Sequence, residues 1–404
     1  MDSSVTTQYN DEQQQEAEPL MRWYPYGHDF GNTEVSDTTV VKGEQHKRSV
    51  PTAFLRVDPN TMKNLGVDVN KLDAFVIQMQ DEPFAFAFGD LALAQNVPTW
   101  NGRGDDLRYA SRYSLWSMLS ISSIFISDKE YGLYVVCGLP ADTYMKNLTL
   151  RNEIKRELDG VYSFTMDGGK TWRIVHIEIA TVVMEGAGAL LAYTGRNGAA
   201  STSANAEAAV IDIGGGTTDL YAQKGQIPQT EFCKNSRTAV ETATQMLMDA
   251  FEKKYRALSQ FEAREIMHAY ASRQQPGGKG KAKGKPYPPL SNNGDDITPE
   301  QQEAIVKPIV GLVGEDIASF VVSTWRQGGG AARFKPVLMV GGGFYYFYNV
   351  VKKRIQHLDY PEDPVHANSI GYATLAARLL QRRNQSQQKA QAQDEPAATI
   401  ETAS

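Results

Sequence analysis

The sequence predicts an α/β fold, on three observations. Short runs rich in β-branched residues alternate with segments of helical period, the pattern of sheets flanked by helices. Three of those runs, 131–140 (YGLYVVCGLP), 208–216 (AAVIDIGGG) and 335–343 (KPVLMVGGG), are apolar and end in Gly or Gly-Pro. Each delivers a tight turn at the carboxyl end of a strand, where open α/β sheets place ligands. The length, 404 residues of which 41% are apolar, suits one large α/β unit or two domains with sizeable cores.

Along the chain, residues 1–21 carry Asp2, Asp11, Glu12, Glu16 and Glu18, no Lys or Arg, and almost no large apolar side chain. They read as a solvated acidic tail. Helical periodicity covers residues 180–193, 238–258, 299–325 and 366–382, and Pro308 is expected to kink or split the third of these. Residues 273–295 combine Gly, Pro and alternating Lys and read as a loop with neither helix nor sheet. A second solvated tail is expected from Gln385 to the end, 385–404. The formal charge of −6 divides unevenly: the two tails and the Lys-rich loop together carry −3, which leaves only −3 on the body.

Cys137 and Cys233 are too few for a four-thiolate metal site or a disulfide framework and suit a reducing compartment. No run reaches about 18 apolar residues and the N-terminus is acidic, so neither a membrane span nor a signal peptide is expected and the location expected is cytoplasmic. None of the six histidines pairs at metal-ligand spacing.

Candidate chemistry concentrates in three turns. In 210–220 (VIDIGGGTTDL), a buried strand ends in Asp212 and is followed by Gly214, Gly215, Gly216, Thr217, Thr218 and Asp219. Consecutive glycines let backbone N–H groups approach an anion, the hydroxyls of Thr217 and Thr218 add donors, and a strand-end carboxylate can hold a hydrated magnesium ion. A glycine-rich hairpin with an incidental acid is the alternative reading. Upstream, Asp29, Gly31, Asn32 and Thr33 could form another phosphate-facing hairpin with Asp29 opposite Asp212, although an ordinary β-turn explains these residues equally well. In 337–347, Gly341, Gly342 and Gly343 end a strand against which a base or ribose could lie; any tight strand-to-helix turn has the same look.

Together the three turns resemble those of the actin-like ATPase superfamily. Asp29 and Gly31 match its first phosphate hairpin; Asp212, Gly214, Gly216 and Thr217 match the second; Gly341 and Gly342 match the adenosine turn. Glu185, in MEGAGALLAY on a helix before the second hairpin, stands where the family places the residue that orients the attacking water. The helix 367–380 (ANSIGYATLAARLL) would pack its small residues on the one carrying Glu185. The strings 49–54 (SVPTAF), 88–95 (FGDLALAQ) and 135–144 (VVCGLPADTY) are most similar to the plasmid-segregation actins of the ParM/StbA type.

The resemblance implies a two-lobed fold of two ribonuclease-H-like domains around a nucleotide cleft, with residues 22–200 and 366–384 in domain I and 206–365 in domain II. It further implies an ATPase that binds ATP or ADP with magnesium, Asp29 and Asp212 holding the metal through water. It would assemble head-to-tail into filaments for plasmid or DNA segregation, reaching DNA through an adaptor; direct nucleic-acid binding and membrane attachment are not expected. A non-polymerising, weakly catalytic actin-fold scaffold is the other reading. It draws on one departure: where many relatives carry a Lys after the first Asp-x-Gly, this chain has Glu34, repulsive to phosphate unless it points away. Lys42 and Arg48 are candidate replacements. The basic loop (Lys279, Lys281, Lys283, Lys285) is either a mobile contact for an acidic partner or merely solvated.

Overall fold

The computed structural model describes residues 21–58, 74–95, 97, 99, 106–193, 206–274, 284–327 and 329–394. The acidic tail through residue 20 and Lys279, Lys281 and Lys283 lie outside the described residues.

Two sheets organise the molecule. The first contains β1 (Trp23–Phe30), β2 (Glu34–Val41), β3 (Glu44–Pro51), β4 (Phe54–Val57), β5 (Ala74–Met79), β6 (Ala85–Gly89), β7 (Glu130–Leu139), β8 (Gly160–Thr165) and β9 (Arg173–Met184), in the order β3-β2-β1-β7-β9-β8-β5-β6-β4. Its central strand β7 pairs in parallel with β1 and β9 and is buried from Tyr131 to Leu139, which explains its nearly unbroken apolar sequence. The second sheet contains β10 (Glu207–Ile213), β11 (Thr218–Lys224), β12 (Ile227–Pro228), β13 (Lys234–Ser236), a later β16 (Val337–Val340) and β17 (Leu358–Asp359), in the order β12-β11-β10-β16-β17 with β13 on the free side of β11. A small hairpin, β14 (Leu290–Asn292) with β15 (Asp295–Ile297), stands apart.

Both sheets repeat one plan. An antiparallel hairpin, β1–β2 or β10–β11, is followed by a later strand that joins the hairpin's first strand in parallel, β7 or β16. Asp29 and Asp212 therefore occupy equivalent places, each one residue before the end of its strand. Each sheet packs its own apolar core, one including Tyr26, Phe88, Tyr131 and Phe164, the other Phe251, Trp325, Phe334 and Phe347.

The helix Ala367–Asp394 ties the plan together. It lies so close to the Ala187–Ala192 helix that a Cβ on Gly371 would stand 1.8 Å from the Gly188 carbonyl oxygen, and so close to β1 that a Cβ on Gly27 would stand 2.0 Å from the Ser369 carbonyl oxygen. The expected packing of small residues between these two helices is present.

Four expectations are corrected. Residues 180–184 continue β9 instead of opening a helix: RIVHIEIATVVM is β-branched and buries Val175, Ile177 and Ile179, and Gly186 at φ 88° then turns the chain, leaving a helix of only Ala187–Ala192. Glu185 thus sits in that turn. Pro308 does not split its helix, which runs Pro299–Thr324, because Val306, Val310, Val313, Ile317 and Val321 bury one continuous stripe on both sides of it. Residues 385–394 are helical, since nothing in QRRNQSQQKAQAQD breaks a helix already nucleated on the core. The loop 273–295 does contain strand: Asn293 and Gly294 take φ 53° and 93°, the pair of positive angles that closes a two-residue hairpin between β14 and β15.

Candidate functional site

A cavity of about 490 Å3 opens between the two sheets. Asp29, Gly31, Asn32 and Thr33 line it from the first hairpin, Asp212, Gly214, Gly215, Gly216 and Thr217 from the second. Glu185 enters from the turn after β9, and Gly341 and Gly342 from the turn after β16. The two hairpins meet: a Cβ on Gly215 would fall 1.7 Å from the Thr33 hydroxyl, and one on Gly216 would fall 2.8 Å from the Asn32 amide. Gly341 holds φ 85°, where its missing side chain would strike Asp212, and Gly342 faces open space. The carbonyl of Gly215 accepts the amide of Glu241 at 2.8 Å, so the glycine turn is fastened to the first turn of the Val240–Lys254 helix.

The electrostatics of this cleft are unusual. Asp212 and Asp219 face one another across the β10–β11 pair, an arrangement that costs stability unless a cation or proton intervenes. Burial pushes Asp212 up to about 6, opposed by its hydrogen bond from Asn368. Burial first, and then the Asp212 charge, push Asp219 up to about 7. Asp29 and Glu185 are raised well above the usual carboxylate range, again by burial first and then by the neighbouring carboxylates. One Asp219 carboxylate oxygen and the Asn32 amide oxygen are buried without a hydrogen-bond partner among the described residues. Four converging acids, one of them with an orphaned oxygen, fit a cation better than an empty interior. Among the described residues no group of three His, Cys, Asp or Glu could hold a metal ion by themselves, so the donor set suits an ion that brings its own water and phosphate oxygens.

Asn368, on the terminal helix, orients this cluster. Its side-chain oxygen accepts the amides of Gly186 (3.0 Å) and Ala189 (3.2 Å), and its nitrogen donates to Asp212 Oδ2 at 2.5 Å. One side chain thereby caps the Ala187–Ala192 helix and aims the carboxylate of the second sheet.

Two expected residues lie elsewhere. Strand alternation turns Thr218 away from Thr217: it is fully buried and its hydroxyl donates to the Thr238 carbonyl at 2.7 Å. Gly343 packs against Ile213 and its amide donates to the Ile213 carbonyl at 2.7 Å, a structural turn position outside the cavity lining. Glu34 lines the cavity, but its carboxylate is ion-paired with Arg264 of the Gln260–Ala271 helix, which removes its expected conflict with phosphate. Neither Lys42, exposed in the β2–β3 turn, nor Arg48, opposite Asp37 in the β2–β3 pair, lines the cavity. Among the described residues the cations that do are Arg108, Arg264 and Lys285. Lys285 is held at 3.0 Å by Glu265 and its amide donates to Ser272, so the carboxyl end of the basic loop is fixed at the cavity rim. On the far wall Glu241 and Thr244 represent the Val240–Lys254 helix, while Glu252, Lys253 and Lys254 do not reach the cavity. His268, held neutral by burial and by Arg264, with its proton affinity lowered to about 4, completes that end.

Sequence reasoning missed Asn368, Arg108, Arg264 and the role of Asp219. Only Asp219 carried a usable local signal, since period-two alternation puts it on the same face as Thr217.

Residues 27–188 match the family described as the N-terminal domain of actin-like proteins. No curated protein matches the chain by sequence. Among solved structures, an archaeal actin homolog is 18% identical, covers 89% of this chain and 100% of its own, and superposes with a TM-score of 0.63. A ParM from Clostridium botulinum, solved as a 15-stranded filament, is 16% identical over 89% of this chain and 100% of its own, with a TM-score of 0.66. A Bacillus thuringiensis ParM with ATP is 15% identical over 90% and 100%, with a TM-score of 0.62. The resemblance read from the three turns is borne out: the chain has the actin fold, begins with a region of the actin-like N-terminal type, and is similar to ParM filament proteins over nearly its whole length.

Proposed function

We propose that the protein is a magnesium-dependent ATPase that polymerises head-to-tail in response to nucleotide and serves plasmid or DNA segregation in the cytoplasm through a DNA-binding adaptor. The observation that carries this reading is the convergence of Asp29, Glu185, Asp212 and Asp219 with the two glycine hairpins in one cavity.

The bare backbone at Gly31 and Gly214–Gly216, with the Thr33 and Thr217 hydroxyls, binds the phosphates of the substrate. Asp29 and Asp212 would hold magnesium through its waters, and the ion, when bound, neutralises charge on the phosphates and the departing oxygen. Asn368 keeps Asp212 aimed at that position. Glu185, fixed in the turn after β9, accepts a hydrogen bond from the attacking water and so aligns it with the terminal phosphorus. Gly342 leaves room for the nucleoside between the two sheets, against the wall formed by Thr244 and His268.

We assign residues 22–200 with 366–384 to one domain and 206–365 to the other, so that loss of the terminal phosphate loosens a contact made by both and changes their angle. Repeating one heterologous interface then yields an open filament. Similarity to a ParM solved as a filament and another solved with ATP supports both halves of this reading. The pairing of Glu34 with Arg264 removes one of the two features that had favoured a non-catalytic scaffold and leaves the other, the missing Lys.

Phosphate release and light scattering with magnesium and ATP test it. Release no faster than that of Asp212→Ala would refute the ATPase; turnover without scattering or visible filaments at high protein concentration would refute the polymer.

A further inference from the structure

We propose that Arg108 is a catalytic residue of this site, donating its guanidinium to the terminal phosphoryl group in place of the lysine that the first hairpin lacks. The inference rests on the ATPase reading and deepens it.

Arg108 belongs to the short 3-10 turn Asp106–Ala110, well away in sequence from every glycine turn. It is 93% buried, its exposure being 7%, yet it lines the cavity. Among the described residues its Nε has no hydrogen-bond partner. Its Nη2 donates to the Tyr109 hydroxyl, and its guanidinium carbon lies 4.3 Å from the centre of the Tyr109 ring, which fixes the group's plane. A buried guanidinium with a bare donor is expensive to retain in the absence of an anion.

Its place within the cavity selects which anion. Arg108 lines the cavity together with Glu185 and Asp219, whose carboxylates feel its charge, whereas the other lining cations are already held by carboxylates of their own, Arg264 by Glu34 and Lys285 by Glu265. A cation beside the water-orienting Glu185 stands where negative charge accumulates as the terminal phosphoryl group transfers. Arginine suits that task, because its planar fork can span two equatorial oxygens while a neighbouring ring keeps it aligned. The alternative is that Arg108 only balances the four acids.

The test compares Arg108→Met and Arg108→Lys with the wild type in three measurements: calorimetric affinity for ADP and for a non-hydrolysable ATP analogue, single-turnover phosphate release, and the melting curve. Arg108→Met should lose about 100-fold or more in release rate and most of its preference for the triphosphate, with ADP affinity and melting temperature near wild type. Arg108→Lys should recover triphosphate affinity but little of the rate. Wild-type release and wild-type triphosphate preference in Arg108→Met would overturn the proposal, as would a change in melting temperature alone. If Arg108→Met does not fold, Arg108→Lys decides, and a wild-type rate in it overturns the proposal. A wild type that releases no phosphate would instead refute the ATPase reading itself.

Discussion

Replacing Asp219 by Asn should make the nucleotide-free protein more stable at pH 8 and much less so at pH 5. Asp219 is raised from 3.8 to about 7, chiefly because it is buried and then because Asp212 faces it. A carboxyl whose folded value lies above its unfolded one favours the fold while it is protonated and penalises it once ionised, so wild-type stability declines as pH rises from about 4 to about 7. Each tenfold change in proton affinity is worth about 1.4 kcal/mol, which puts the full penalty at about 4 kcal/mol by pH 8. At pH 5 only the part between 3.8 and 5 has developed, less than half of that amount. The amide keeps the shape and removes the charge, so it should recover most of each amount. With an unfolding entropy of about 2 cal/mol/K per residue, 4 kcal/mol corresponds to roughly 5 °C for a chain of this length. Thermal melts of both proteins in a metal chelator at pH 5 and pH 8 measure the difference. A variant no more stable than wild type at pH 8, or equally more stable at both pH values, would show that the facing carboxylates do not carry the strain assigned to them.

Other consequences are as direct. Asn368→Ala strands the Gly186 and Ala189 amides and one Asp212 oxygen, and urea unfolding should show a loss of about 2–4 kcal/mol. Gly371→Ala drives a methyl into the Gly188 carbonyl and should cost about 1–3 kcal/mol by the same assay, since the clash is with backbone and no rotamer relieves it. A double-mutant cycle on Glu34→Gln and Arg264→Met should return a coupling of about 1 kcal/mol or less, because the two side chains keep 31% and 20% exposure and solvent screens them; raising the salt concentration should shrink it further.

Most of the site was legible because its chemistry is local. A strand followed by bare glycines and hydroxyls needs no tertiary information to be recognised, and Asp29, Asp212, Glu185 and every expected turn glycine except Gly343 reached one cavity. Thr218 was misplaced for a local reason too: period-two alternation sends adjacent threonines to opposite faces. The illegible residues act across distance. Asn368 is 156 positions from Asp212, and Arg264 is 230 from Glu34. Nothing in a window around either partner announces the other. Secondary structure failed where composition was read without context. Alanine and glycine after Met184 suggested a helix through a segment whose β-branched residues already belonged to β9, and a polar Gln-rich stretch was read as tail although a preceding buried helix could propagate into it.

Asn368 also gives the molecule an order of completion during synthesis. Both glycine hairpins leave the ribosome in the first 224 residues of the chain, while the side chain that joins Asp212 to the Ala187–Ala192 helix arrives more than 140 residues later. A nascent chain of that length therefore has both glycine turns but not the clamp that aims Asp212. Asp212 cannot be held in its final orientation until residue 368 has left the ribosome, so the cavity between the two sheets is completed only after both hairpins have formed.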